Sequence, residues 1–117
     1  MNREKLIRAG IDYDQGVNRF AGKAQLYEKY LVKMFDNDIL SVLCTQLEGK
    51  DYTGAFRSAH DLKGTSGNLS INEFYHTICE IVEQLRGGNP DEKTVRIQLD
   101  KAKSLYNAAK EAVLEQV

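Results

Sequence analysis

The sequence predicts an all-α protein, an antiparallel up-down four-helix bundle with a short additional helix near the N-terminus. Apolar residues recur at spacings of three and four along nearly the whole chain, which is the period of an amphipathic helix. No segment shows the alternation of β-branched and polar residues that is typical of a strand. Short polar or glycine-containing stretches separate the helical segments, and such turns place consecutive helices antiparallel.

The first half of the chain contains three predicted helices. A short one over residues 12–20 is expected to cover one end of the bundle. One long helix is expected over residues 23–48, kinked if at all at the polar residues 36–38. Gly49 ends it, and the next helix spans residues 51–69 with an aspartate at its start as N-cap.

Two further helices complete the predicted bundle. Ser70 and Glu73 form a Ser-x-x-Glu capping box, which predicts that the next helix starts at Ser70. The glycine pair at 87–88 ends that helix. Asn89 is the predicted cap of the last helix, because Pro90 and two acidic residues follow it in the first turn.

The apolar seams of these helices predict the core. Tyr30 has the spacing of a core residue, and Cys44 and Cys79 are expected to be core thiols, not a metal-binding pair or a redox switch. The other residues expected to face the core are Tyr27, Leu31, Met34, Ile39, Leu43, Leu47, Ala55, Ala59, Leu62, Leu69, Ile71, Phe74, Ile78, Ile81, Leu85, Val95, Leu99, Ala102, Tyr106, Ala109 and Val113.

Composition limits the classes of function. A chain of 117 residues supports one domain, assigned here to residues 1–117 with the bundle at about 23–116. Its 16 basic and 17 acidic residues are mixed along the chain, so it lacks the concentrated basic face that nucleic acid requires. No apolar run approaches the ~20 residues of a membrane span, and the first ten residues do not form a signal peptide. We therefore expect a protein that binds neither nucleic acid nor membranes. The reading of both cysteines as core thiols makes the cytoplasm the expected compartment, and a closed bundle is expected to be monomeric.

The most informative segment is the predicted helix around His60. Residues three, four and seven positions after His60 share its face, and these are Lys63, Gly64 and Gly67. The apolar residues of the segment lie more than a quarter turn away. His60 is therefore expected to point outward, beside one cation and two residues that have no side chain.

This pattern favours a histidine that accepts and donates a phosphoryl group. Each glycine costs ~1 kcal/mol relative to alanine within a helix, so a pair beside one exposed ring indicates a need for close access. Lys63 places a positive charge where a phosphoryl group would carry negative charge. An exposed imidazole is mostly neutral near pH 7 and can act as a nucleophile.

Three other residues give weaker indications of a role at the site. His76 is expected to be a surface or boundary residue, because Cys79 and Glu80 follow it at helical spacing and a carboxylate there would repel a phosphoryl group. Arg57 is either a solvated charge or a partner contact, with the former favoured. Tyr13 is a weaker candidate for an exposed aromatic residue near the docking face.

Two other chemistries share the dipeptide His60-Asp61. A metal-dependent phosphohydrolase of the His-Asp type needs further ligands, including an upstream histidine, and the only other histidine is His76. A sensor histidine kinase needs an ATP-binding domain with glycine-rich motifs, for which 117 residues leave no room. An enzyme acting by itself is disfavoured, because no second catalytic group is paired with His60.

The run from His60 to Leu69, His-Asp-Leu-Lys-Gly-Thr-Ser-Gly-Asn-Leu, resembles the signature of histidine-containing phosphotransfer (HPt) domains, His-x-Leu-Lys-Gly-x-Ser/Ala-x-x-Leu. The preceding residues 56–59 are similar to the phosphotransfer domain of chemotaxis kinases. The resemblance spans roughly residues 10–115 and is looser in the N-terminal part. Many members of the family carry glycine at the position of Ser70, a departure that the capping box explains.

The resemblance implies a four-helix bundle with His60 as phosphoacceptor on an outward face. It implies that Lys63 supports the phosphate, and that Gly64 and Gly67 let the partner approach. The implied partner is a response-regulator receiver domain, whose phospho-aspartate and Mg²⁺ complete the transfer, so this chain itself is expected to hold no metal and no cofactor. A hybrid sensor histidine kinase is a second class of partner. A non-catalytic interaction module of the same fold, with an unphosphorylated histidine, stays open, as does the choice between a stand-alone relay protein and an excised domain.

Overall fold

The computed structural model describes the whole chain, from Met1 to Val117, and its regular structure is entirely helical, which confirms the all-α prediction. The longest helix spans about 35 Å of a molecule 41 Å long. None of the helices combines the length and the apolar character needed to cross a membrane. In chain order they are α1 (Arg3–Arg8), α2 (Tyr13–Arg19), α3 (Ala24–Asp36), α4 (Ile39–Glu48), α5 (Tyr52–Asn68), α6 (Asn72–Arg86) and α7 (Glu92–Leu114).

Helix α5 is central to the packing. It packs against both α4 and α6, and α6 packs in turn on α7, which also receives α1 and α3. One continuous hydrophobic cluster fills the space between these helices. The seams predicted for α5, α6 and α7 are buried throughout, whereas the predicted core residues Ile39 and Leu47 of α4 are half-buried.

Three further predicted core residues, Tyr30, Cys44 and Cys79, are more exposed than expected. Tyr30 leaves 43% of its surface exposed, and its ring lies 5.7 Å from that of Phe20. The buried face of α3 runs through Tyr27 and residues four and seven positions later, so Tyr30 falls at its edge. Cys44 and Cys79 are half-buried free thiols.

The single helix predicted over residues 23–48 is wrong, because the chain breaks at Asn37 and Asp38 into α3 and α4. Asn37 adopts an extended backbone (φ −98°, ψ 95°). The Asp38 carboxylate then accepts a hydrogen bond from the Ser41 N–H at 3.2 Å. An aspartate that caps in this way starts a new helix, so the polar residues interrupt the helix where a kink was expected.

The capping box predicted at Ser70 and Glu73 is also wrong. Ser70 is the left-handed residue (φ 58°) that follows α5. Its N–H donates to the Gly67 carbonyl at 3.2 Å, and the Ile71 N–H donates to the Ser66 carbonyl at 3.1 Å. These two bonds form a Schellman motif, in which the left-handed position is usually glycine. Helix α6 consequently begins two residues later than predicted, without a side-chain cap.

Of the other helices, α2 agrees with the prediction, α1 is additional, and α7 starts later than predicted. The short helix predicted over 12–20 is present as α2, with Asp12 as its N-cap. Helix α1 was not predicted, because six residues with Leu6 as their one buried side chain are too short to display a period. The N-cap of α7 is Asp91, not Asn89. Asp91 has extended backbone (φ −74°, ψ 105°), so the first helical residue is Glu92.

We expect Ser70→Gly to stabilise the protein by about 1 kcal/mol, because glycine adopts positive φ without steric cost. The substitution also removes a buried hydroxyl that has no hydrogen-bond partner. Urea unfolding followed by circular dichroism measures the change. Ser104→Gly, at an exposed position within α7, is the control and should cost about 0.5–1 kcal/mol. A Ser70→Gly protein no more stable than the parent would contradict the strain attributed to Ser70.

Candidate functional site

Helix α5 separates a buried stripe from an exposed face. The stripe contains Ala55, Ala59, Leu62, Ser66 and the following Leu69, as the helical spacing predicts, and Ser58 is also buried. Most of its members are small, which lets the neighbouring helices pack close to the α5 backbone. His60 lies in the middle of the other face and is exposed to solvent, as the same spacing predicts.

One side of the imidazole faces an aromatic and basic group of residues. The ring of Phe56, one turn earlier on α5, lies 6.1 Å from the His60 ring. The guanidinium of Arg86 lies 5.7 Å from the centre of the Phe56 ring, in a cation–π arrangement. Arg86 also pairs with Glu83 at 3.0 Å. This side of His60 is therefore occupied by neighbours within the chain.

The other side of His60 opens onto a shallow depression of about 490 Å³. Three helices contribute to its walls, namely α2, the C-terminal half of α5 and the N-terminal half of α6. No carboxylate lines it, although the chain as a whole has a net charge of −1. The lining residues are Gln15, Arg19, His60, Lys63, Gly64, Gly67, Asn68, Asn72, Tyr75 and His76.

The missing side chains of the two glycines near His60 leave different kinds of space. A methyl group at Gly64 would meet no atom within 4 Å, so the space above this residue is open. A methyl group at Gly67 would come within 2.9 Å of the Tyr75 ring. The ring of Tyr75, from α6, already covers the backbone at Gly67. The space above Gly64 is therefore open, whereas the missing side chain of Gly67 makes room for the Tyr75 ring, where α6 packs on α5.

The cations of the depression have no acidic partner. The ion pairs of the chain lie elsewhere, and none includes Lys63 or Arg19. The positive charge of Lys63 has an electrostatic effect on a nearby carboxylate. The pKa of Glu83 lies below its ordinary value, chiefly because Arg86 hydrogen-bonds to that carboxylate, and Lys63 adds to the effect. An anion that enters the depression would meet unpaired positive charge.

Sequence reasoning missed half of the residues that line this depression. His76 is exposed, as expected, but the structure brings it to the same depression as His60. The others are Gln15, Arg19, Asn72 and Tyr75, which belong to α2 and α6. Periodicity indicates which residues of one helix share a face, and it does not indicate which faces of separate helices meet. No pattern in the sequence connects these positions with His60.

Two residues considered with the site lie apart from it. Arg57 lines a separate depression between α5 and the end of α6. Tyr13 is half-buried and donates a hydrogen bond to a carboxylate oxygen of Glu28 at 2.6 Å. This bond raises the pKa of Tyr13 to about 12. Tyr13 therefore helps to attach α2 to α3.

Comparison with known families identifies the chain. The sequence model of the Hpt domain family matches residues 25–113, from α3 to α7 within one residue at each end. This chain belongs to the Hpt domain family. Hpt domains are phosphocarriers, not classical enzymes, and they carry phosphoryl groups on histidine in two-component phosphorelays with receiver domains and kinases. Searches of curated proteins and of solved structures gave no significant match.

The two site glycines should respond differently to alanine. Gly64→Ala is expected to stabilise the Hpt domain by about 1 kcal/mol, because alanine is the better helix former and the space is open. Gly67→Ala should be at least about 1 kcal/mol less stable than Gly64→Ala, because the Tyr75 ring must move. Urea unfolding measures both. In a Tyr75→Ala background the two substitutions should become equivalent, and a difference that persists there would show that Tyr75 is not its cause.

Proposed function

We propose that this Hpt domain is a phosphorelay intermediate and that His60 accepts and donates the phosphoryl group. The observation that carries the proposal is the position of the imidazole. It is exposed in the middle of α5 and borders an open, carboxylate-free depression. An exposed imidazole is free to act as a nucleophile, and an open depression leaves room for the partner's active site.

The proposed transfer is a reversible exchange between histidine and aspartate. A neutral imidazole nitrogen of His60 attacks the phosphorus of the acyl phosphate on a receiver aspartate. The N–P bond forms as the O–P bond breaks, the aspartate leaves as a carboxylate, and the imidazole loses its N–H proton to solvent. The reverse reaction passes the group to the aspartate of another receiver. The Mg²⁺ for the transfer belongs to the receiver, and no cofactor is assigned to this chain.

Each site residue has a proposed role in that exchange. Lys63 supports the phosphoryl oxygens with its positive charge, one turn along the helix from His60. Gly64 leaves the open space through which the receiver approaches the imidazole. Gly67 acts through α6, because its missing side chain lets Tyr75 form one wall of the depression.

The wider proposal concerns the whole chain. We propose that residues 1–117 form one domain and that its main helices form an antiparallel up-down four-helix bundle. In this bundle α3 and α4 together take the place of the first helix, and α5, α6 and α7 are the other three. The contacts of α5 with α4 and α6, and of α7 with α3 and α6, support this topology. Its partners are response-regulator receiver domains and a hybrid sensor histidine kinase. We propose that it works as a monomer in the cytoplasm.

Replacing His60 tests the central assignment. We expect His60→Gln to abolish labelling by a ³²P-phosphorylated receiver domain while the helix content stays unchanged, because glutamine offers no nucleophilic nitrogen. The matched protein is His76→Gln, which alters the only other histidine and should still carry an acid-labile phosphate. Labelling that survives in His60→Gln would refute the assignment. A parent protein that no receiver phosphorylates would instead indicate a non-catalytic interaction module.

Filling the space above Gly64 tests the access role. We expect Gly64→Gln to slow transfer from a phosphorylated receiver by at least about 10-fold, because the new side chain occupies the approach to His60. Single-turnover transfer rates measure the effect. Gly87→Gln is the matched control, since that glycine also faces open space but ends α6 outside the depression. Normal transfer by Gly64→Gln would rule out this path of approach.

A further inference from the structure

Helix α2 contributes to the His60 depression although it precedes the stretch that the Hpt family model matches. The matched stretch begins at residue 25, whereas α2 ends at Arg19. Gln15 and Arg19 are one helical turn apart, and both line the depression. The candidate site of this chain therefore includes a cation that the family match does not cover.

Contacts with α3 and with the turn after α5 set the position of α2. Gly16 is buried against Tyr27 of α3, and a methyl group at position 16 would overlap the phenol ring. Just before the helix, the Asp12 N–H donates to the Ser70 carbonyl at 2.9 Å, in the turn between α5 and α6. These contacts hold α2 beside α5 and α6, where its residues Gln15 and Arg19 line the depression.

Arg19 meets no anion within the chain. It forms no ion pair, and the depression that it lines contains no carboxylate. Its charge reaches the wall of the depression. The pKa of Tyr75 is raised, chiefly by its interaction with the Cys79 thiol, and the charge of Arg19 opposes that rise. The cation thus lies close to the α6 wall, on the same depression as His60.

We propose that Arg19 is a second phosphoryl-binding residue, which contacts the oxygens of a phosphoryl group on His60 from α2 while Lys63 does so from α5. The proposal rests on phosphorylation of His60. A guanidinium matches phosphoryl oxygens because its N–H groups form a planar fork that can donate two parallel hydrogen bonds. The depression of about 490 Å³ has room for the phosphoryl group beside these side chains.

Such contacts should make phosphorylated His60 last longer without any partner. Hydrolysis of the N–P bond requires a proton on the ring, and a nearby guanidinium disfavours that additional positive charge. Hydrogen bonds from Arg19 also stabilise the phosphoryl group before the bond breaks. Both effects have the same sign, so removal of the guanidinium should accelerate hydrolysis.

The test uses chemical labelling, which needs no receiver. Phosphoramidate transfers its phosphoryl group to an imidazole nitrogen, with ammonia as the leaving group. All proteins carry His76→Gln, which leaves His60 as the only histidine in the chain. After removal of the reagent, ³¹P NMR or phosphate release gives the half-life at pH 8. Circular dichroism verifies the fold of each protein, and a His60→Gln protein provides the blank.

We expect Arg19→Gln to shorten this half-life by about 3- to 10-fold, the effect of losing roughly one typical hydrogen bond at a solvent-exposed site. The half-life of Arg19→Lys should lie between those of the parent and of Arg19→Gln, because lysine keeps the positive charge but lacks the planar fork of N–H donors. Arg57→Gln is the matched control, since it removes a guanidinium near His60 that lies outside the depression. Its half-life should equal that of the parent.

Two results would overturn the proposal. An unchanged half-life in Arg19→Gln, together with a raised KM for a receiver, would assign Arg19 to the partner's carboxylates. An unchanged half-life with an unchanged KM would leave Arg19 without a role at the site. The chemical label also separates this proposal from the previous one, because it reports on Arg19 even if no receiver phosphorylates His60.

Discussion

The packing of the buried Tyr27 side chain is the interaction on which the arrangement of the helices around the site depends. Its ring occupies the space that a side chain at Gly16 would take, and its hydroxyl donates to the Leu69 carbonyl at 2.7 Å. One side chain therefore joins α2, α3 and the end of α5. Burial raises the pKa of Tyr27 well above its ordinary value, so the hydroxyl stays protonated and remains a donor at physiological pH.

The depression combines groups that attract an anion with an absence of groups that would compete for it. Lys63 comes from α5 and Arg19 from α2, and the carboxylates of the chain lie outside the lining. Solvent screens charges in an open depression, so each cation contributes only modestly. This suits a phosphocarrier. A deep, dry site would hold the phosphoryl group too tightly to pass it on.

Helix interiors were predicted more successfully than helix ends. The seams of α5, α6 and α7 emerged from many apolar residues at regular spacing, and the structure buries all of them. A helix end depends on one or two hydrogen bonds, and several residues can compete to make them. At Ser70 a capping box and a Schellman motif were both compatible with the sequence. The structure contains the second, and the left-handed backbone of Ser70 (φ 58°) that it requires differs from the extended backbone of an N-cap.

The sequence by itself determined that the chain is helical, that His60 faces outward and that Lys63 and Gly64 share its face. The first follows from the apolar period along the chain. The other two follow from positions along one helix, where spacing in the sequence fixes which residues share a face. Only the tertiary structure decided that Arg19 and His76 reach the same depression and that Gly67 lies beneath Tyr75. Those relations join separate helices, and they depend on how buried side chains such as Tyr27 fix each helix against the next.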